Sequence, residues 1–375
     1  MRGNITRRGK ASWRIKFDDP IGNERRTRYV TVRGTRKHPE RELARLLSEA
    51  DRGSLVEPSK LNLSDYLREW LDDAHELTPK TAERYRQLAQ QQIMPHLGAI
   101  PLQKLKPAHV QQWHGTLLKQ GGEKGRPLSA RTVGHAHRVL HRALQRAVEG
   151  EMLSRNVAGA VKPPRIKAAE IEMLTAEQIN DVLAKLEDHA LYPIVALALA
   201  TGMRRGELLA LRWEDANLDH ATLKVERSLE ESDKGLRFKA PKTKHGRRAI
   251  PLPPTAVEVL REHRLRQLEL RVALGQGKPE PGALVFCTVE GEPLSPDDLS
   301  RDWWRLTLTR GLPRVSFHSL RHSHASALIA SGLDVLTISR RLGHGSPVVT
   351  LGVYGHMFRD TGRAAAAAIE TVLKR

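Results

Sequence analysis

Across 375 residues there is a single cysteine, Cys287. That excludes an internal disulfide framework and any zinc site built from several thiolates, and it suits a reducing cytoplasm. Its setting, Leu284-Val285-Phe286-Cys287, reads as a short buried strand, so no catalytic role falls to it. No run of eighteen apolar residues occurs, and Met1-Arg2-Gly3-Asn4-Ile5-Thr6 lacks an apolar signal-peptide core, so neither a membrane span nor a secretory leader is expected. Acidic residues are in deficit. Against 62 Lys and Arg stand 43 Asp and Glu, a formal net charge of +19, which favours a polyanionic partner such as nucleic acid over an acidic small molecule. Charge alone would equally suit a basic protein at a membrane surface.

The length predicts two or three domains, each with its own core. Residues 1–58 form a basic module: the first sixty residues hold sixteen Lys or Arg and eight Asp or Glu. Trp13, Ile15 and Phe17 alternate with Arg14 and Lys16, and Tyr29 to Val32 is β-branched and aromatic, so two strands joined around residues 19–23 are expected, then a helix from Pro39 to Arg52 stopped by Gly53. From 61 to 160 the pattern turns helical. Leu63, Tyr66, Leu67 and Trp70 fall at helical spacing, and helices follow from Pro79, from Pro107 to Leu118 and from Ser129 to Val148, which together make a compact bundle. Lys80, Arg84, Arg86, Arg131, His135, His137, Arg138 and Arg142 are either its solvated face or its phosphate contacts. A third domain, 170–375, opens with the capping pattern Thr175-Ala176-Glu177-Gln178 after the break at Pro163-Pro164. An apolar helix over 191–202, short strands near Leu223, Leu236 and Arg247, and helices near 254–272, 296–310, 318–331 and 334–341 complete it, with an alanine-rich helix from Arg363 to Leu373.

Four short stretches carry the chemistry. They are Thr201-Gly202-Met203-Arg204-Arg205-Gly206-Glu207, Phe317-His318-Ser319-Leu320-Arg321-His322, Leu342-Gly343-His344 and Val353-Tyr354-Gly355. Attack on a phosphodiester needs an in-line nucleophile, cations for the non-bridging oxygens and an acid for the leaving oxygen. Arg204 and Arg321 suit the second task, because guanidinium forks grip phosphate oxygens in pairs and stay charged. His318 and Arg321, three apart on a helix, can reach one phosphate. Gly343 and Gly345 flank His344 and leave room for its imidazole to approach the same group. Tyr354, ten residues on, supplies a phenol that neighbouring cations and a histidine can favour as phenolate. Singly, each has an ordinary structural reading as a cap, a surface pair or a core tyrosine.

Together and in this order they resemble the tyrosine recombinases, the family of phage integrases and related site-specific DNA recombinases. The resemblance implies a multidomain fold, mainly α with small β elements: an arm-type DNA-binding domain of sheet plus helix at 1–58, a helical core-binding domain at 61–160, and a mostly helical catalytic domain at 170–375. It implies DNA cleavage and rejoining through a 3′-phosphotyrosyl link on Tyr354 and a four-way junction, with no cofactor, metal or ATP. The partners implied are double-stranded DNA, at core and arm sites, and three further copies in a tetramer. A host bending protein and an excision factor are compatible and leave no readable motif. The family also uses a hairpin lysine as the acid for the leaving oxygen; the stretch Phe238 to Pro251 looks like that hairpin, and its Pro-Lys-Thr wording points to Lys242, with Lys244 as the alternative. Glu207 is similar to the family's acidic position after the first arginine and reads as support for that turn. The C-terminal helix docks on a neighbour in such proteins, or closes its own domain.

Other classes remain to be weighed. A metal-dependent nuclease would use the many C-terminal histidines, but no carboxylate accompanies them at ligand spacing. A type IB topoisomerase would share the nucleophile yet not need the basic N-terminal module. A DNA-binding regulator would bind without forming a covalent adduct.

Overall fold

A computed structural model describes residues 3–21, 24–51, 56–166, 171–241, 246–358 and 362–373. The chain divides into two compact units, Met1–Lys167 and Ala168–Arg375.

The first unit begins with an antiparallel sheet of β1 (Gly3–Gly9), β2 (Ser12–Ile21) and β3 (Glu24–Arg33), in that order. Ile5, Ile15 and Val30 stand opposite one another across the three strands and, with Phe17, pack under Leu43, Leu46 and Leu47 of α1 (Lys37–Asp51). On β2 and β3, Arg14 lies over the Tyr29 ring at 4.8 Å. Sequence periodicity missed β1, because Ile5 is its only large apolar side chain and pairing with Ile15 across the ladder decides the strand.

Five helices follow: α2 (Leu63–Asp72), α3 (Pro79–Leu88), α4 (Met94–Leu97), α5 (Pro107–Gln120) and α6 (Ala130–Glu149). Asn62 and Ser129 cap α2 and α6 by accepting the amides of Asp65 and Thr132. Between α3 and α4 the helix widens into a π turn over Ala89–Ile93. Pro95 explains it, since a proline there has no amide for residue 91 and its ring clashes with that carbonyl. Trp113 Nε1 donates to the Gln92 carbonyl in this turn at 2.7 Å. One expectation fails: His137 does not lie on the solvated face but is 5 % exposed. It occupies the stripe of Val133, Leu140 and Leu144, and its Nδ1 shares a proton with His114 Nε2 at 3.1 Å. Arg131, His135, Arg138 and Arg142 do form an exposed row along α6.

In the second unit the Thr175 box caps α7 (Ala176–Leu186), and the apolar α8 (Tyr192–Thr201) runs through the core to α9 (Arg205–Leu209). Strands β4 (Ala216–Asn217) and β5 (Thr222–Val225) precede a hairpin of β6 (Ser228–Ser232) and β7 (Gly235–Lys239), and β8 (Arg248–Pro251) then pairs with β5. The stretch Phe238 to Pro251 is therefore not the expected hairpin. Its two ends belong to different sheets, because β6, unforeseen, takes β7 as its partner. Helices α10 (Pro254–Ala273), α11 (Pro296–Thr309), α12 (Phe317–Ala330), α13 (Val335–Leu342), α14 (Pro347–Tyr354) and α15 (Gly362–Leu373) complete the unit. Leu284 to Cys287 is not a strand either: its amide bonds to residues 211–213 stop after one bridge, where Trp213 turns away. Val195, Leu208, Leu223, Ile250, Leu260, Trp303 and Leu320 are among the buried core, and Ile338, Leu342 and Tyr354 belong to a smaller cluster.

Candidate active site

The site grows from the end of α8. A helix leaves its last carbonyls without intrahelical donors and its C-terminus partly negative. Here side chains supply the donors: His324 Nδ1 to Leu199 O at 2.7 Å, Arg341 Nη2 to Ala200 O at 3.0 Å and Arg321 Nη1 to Gly202 O at 2.6 Å. Gly202 takes the left-handed conformation at φ 64°, and a Cβ there would sit 2.6 Å from the His324 ring. Only glycine fits both demands. Arg321 Nη2 reaches at the same time to Leu342 O at 2.8 Å, where α13 ends on Gly343, also left-handed at φ 67°. One guanidinium, 3 % exposed, thus joins two helix ends. Burial, and after it the charge of Arg204, lowers its pKa to about 9, still high enough to keep it cationic at neutral pH.

Arg204 sits at the start of α9. The buried Glu207 carboxylate accepts its backbone N–H at 3.0 Å and its Nη1 at 2.8 Å, while Nη2 reaches Gly343 O at 3.2 Å. From the other side Arg248 donates to Glu207 at 2.9 Å, to Arg341 O at 2.7 Å and to Gly246 O at 3.1 Å. Burial would raise the Glu207 pKa, but hydrogen bonds and charge from Arg248 and Arg204 outweigh it and hold the carboxyl below its ordinary value. An ionised carboxylate therefore aligns both arginines, and the Arg204 side chain keeps 40 % of its surface open.

His318 and His322 stand one turn apart on α12 with perpendicular rings 4.9 Å between centroids. His322 Nδ1 lies 2.6 Å from the hydroxyl of Tyr354, the last residue of α14. Tyr354 is 1 % exposed, and burial pushes its pKa up to about 12 although Arg321 pulls the other way. His344 follows Gly343 and shares a proton with Thr350 Oγ1 at 2.8 Å. Burial first, then Arg321, Arg204 and Arg248, lower its pKa to about 4. His318 is exposed in surface area, yet the protein beneath it, then His322, Arg321 and Arg204, bring it to about 4 as well. At neutral pH the imidazoles are uncharged and the guanidiniums carry the positive field.

The structure thus gathers Arg204, His318, Arg321, His344 and Tyr354 around the ends of α8, α13 and α14. Lys242 and Lys244 lie outside the described residues. Sequence reasoning passed over His322 and Arg248. His322 had a signal, standing four residues after His318 and next to Arg321; Arg248 had none beyond its charge. Among the described residues no cluster of three or more His, Cys, Asp or Glu could hold a metal, and no helix is long and apolar enough to cross a membrane.

The profile of the phage integrase family matches residues 172–360, and that of the phage integrase N-terminal SAM-like domain matches 62–118. This chain belongs to the phage integrase family. It is a tyrosine recombinase, an enzyme that cuts and rejoins DNA. The integrase of Mycobacterium phage L5 is 30% identical over 305 residues, covering 79% of this chain and 76% of that one. A tyrosine recombinase XerC-like protein of Caldanaerobacter subterraneus is 27% identical over 378 residues, 94% of each. The Tn1549 transposon integrase, solved with transposon right end DNA, superposes with a TM-score of 0.68 at 20% identity, covering 83% of this chain and 99% of that one. The lambda integrase tetramer on a Holliday junction gives 0.58 at 20% identity, over 92% and 96%. These two likenesses establish the shared fold.

Proposed function

We propose that this phage integrase family member joins and separates two DNA duplexes with Tyr354 as nucleophile, acting as four copies on a four-way junction. The observation that carries the reading is the pair of guanidiniums, Arg204 and Arg321, fixed by helix-end carbonyls and Glu207 beside a tyrosine whose hydroxyl is already hydrogen-bonded to an imidazole. Arg204 and Arg321 bind the non-bridging oxygens of the scissile phosphate and neutralise the charge that builds there. His318 and His344, being neutral, donate N–H groups to the same oxygens. As Tyr354 Oη bonds phosphorus, the bond to the 5′ oxygen breaks, and Lys242 protonates that oxygen. The 3′-phosphotyrosyl link preserves the bond for rejoining, so no ATP enters. Residues 1–58 bind arm sites through the exposed sheet face of Arg14 and Tyr29, residues 61–160 clasp the core site through the α6 row of Arg131, His135, Arg138 and Arg142, and 170–375 carry the chemistry. Tetrameric assembly on a junction is taken from the lambda integrase structure, and the working compartment is the bacterial cytoplasm.

The test is a nicked suicide duplex in chelator, followed by denaturing electrophoresis and peptide mapping of the adduct, with Tyr354→Phe alongside. A DNA-linked peptide containing Tyr354, missing from the variant, is expected. Binding without any adduct would leave a DNA-binding regulator instead.

A further inference from the structure

We infer that His322 is a further catalytic residue, the imidazole that holds the Tyr354 hydroxyl before attack and takes its proton on Nδ1 as the oxygen bonds phosphorus. The inference rests on the reading of Tyr354 as nucleophile. Among the described residues His318, His322 and His344 stand at the site, and His322 is the one hydrogen-bonded to the phenol. His322 Nδ1 is 2.6 Å from Tyr354 Oη, and no other described group hydrogen-bonds that oxygen. His344 has its Nδ1 committed to Thr350, and His318 stands perpendicular to His322 and makes no described hydrogen bond to the tyrosine. Helix geometry sets this choice. His318 lies three residues from Arg321 and one turn before His322 on α12, and His322 meets α14 where Tyr354 ends it.

The phenol is the donor, since burial keeps it protonated, so Nδ1 accepts and the proton of neutral His322 resides on Nε2. The groups facing His322 are His318 and Arg321 from α12, Tyr354 from α14 and, through space, His344 from the turn after α13. Burial and Arg321 lower the pKa of His322. That keeps it free to accept at neutral pH and makes the imidazolium short-lived. In cleavage the Oη–P bond forms, the P–O5′ bond breaks, the phenolic proton moves to Nδ1, and the 5′ oxygen takes a proton from the acid on its own side. In rejoining the 5′ hydroxyl attacks phosphorus and gives its proton back to the group that had supplied it, the Oη–P bond breaks, and Nδ1 returns its proton to Tyr354.

Two experiments on the full chain decide it. In the first, a pool of nicked duplexes of random core sequence is offered with ordinary linkages and with 5′-bridging phosphorothiolates, whose sulfur leaves without an acid. His322→Asn is expected to slow adduct formation by about 10²- to 10³-fold, the range for a lost general base, on both linkages and with partial recovery as pH rises above neutral. Lys242→Ala, by contrast, should recover on the sulfur substrate. A His322→Asn rate equal to wild type, or a defect erased by sulfur, would overturn the inference while leaving Tyr354 in place. An adduct surviving in Tyr354→Phe, or none in the wild-type chain, would overturn the nucleophile reading and this inference with it. The second needs no DNA: with ¹⁵N-histidine labelling, Tyr354→Phe should move one imidazole Nδ1 resonance, the one absent from His322→Asn. If that resonance stays still, the hydrogen bond and the proposal both fail.

Discussion

Two hydrogen-bonded pairs with a histidine, one in each unit, stand in different settings among the described residues. In the first unit His114 and His137 share a proton at 3.1 Å among leucines and a tryptophan. In the second, His322 and Tyr354 share one at 2.6 Å; burial lowers the pKa of the imidazole and raises that of the phenol, and Arg321 acts second on each, lowering both. Both contain a neutral imidazole and both are hydrogen-bonded. What separates them is the surrounding charge and the destination of the proton. The first pair is closed: each ring satisfies the other, and loss of either only uncovers a polar atom. The second borders Arg321, Arg204 and Arg248, among which Glu207 bonds to the last two, and its proton sits on a phenol oxygen. Reactivity here belongs to the setting and not to the residue type.

The largest effect should come from Arg321→Ala. Two helix-end carbonyls lose their donors and the phosphate site loses a fixed cation, so the rate of adduct formation should fall by about 10³-fold or more, with urea unfolding also shifted to lower denaturant. Full activity would show that the cationic border is incidental. Next is Glu207→Gln, which leaves Arg248, with 7% of its side chain exposed, without its counter-charge. A loss on the order of 3 kcal/mol in urea unfolding is expected, and an unchanged midpoint would remove the carboxylate from the scaffold.

The closed pair should show itself through pH. The His137 pKa is lowered by burial, then by His114 and His141, from 6.5 to about 4. Between those values the unfolded chain binds the proton and the folded chain does not, so stability present above pH 6.5 is lost as pH falls towards 4. From pH 7 to 5 the loss is about 2 kcal/mol for this one group. His114→Leu with His137→Leu should flatten that part of the slope; an equally steep slope would move the effect to the histidines of the other unit. The smallest change is the control Arg68→Ala, whose exposed pair with Asp65 at 2.7 Å should contribute less than about 1 kcal/mol.

Much of this was legible in the sequence because it is local. Apolar spacing marked α2, α5, α6 and α8, and Thr175 with Gln178 marked the start of α7. The spacing of His318 and Arg321 put them on one helix, and their order with Arg204, His344 and Tyr354 named the family. What stayed hidden depends on contacts across the chain. β1 exists because Ile5 meets Ile15, and β7 found β6 and not β8 as its partner. His137 looked like surface charge until His114 from another helix answered it. The role of Arg248 is invisible at short range, since its partners lie at 207 and 341. His322 stands next to Arg321 in the sequence, but its bond to Tyr354, 32 residues on, is a contact between two helices that spacing does not show.

Tyr354 is 1 % exposed while Tyr29 is 56 % exposed. A nitrating or iodinating reagent would find Tyr29 on the N-terminal sheet and leave Tyr354 unmarked.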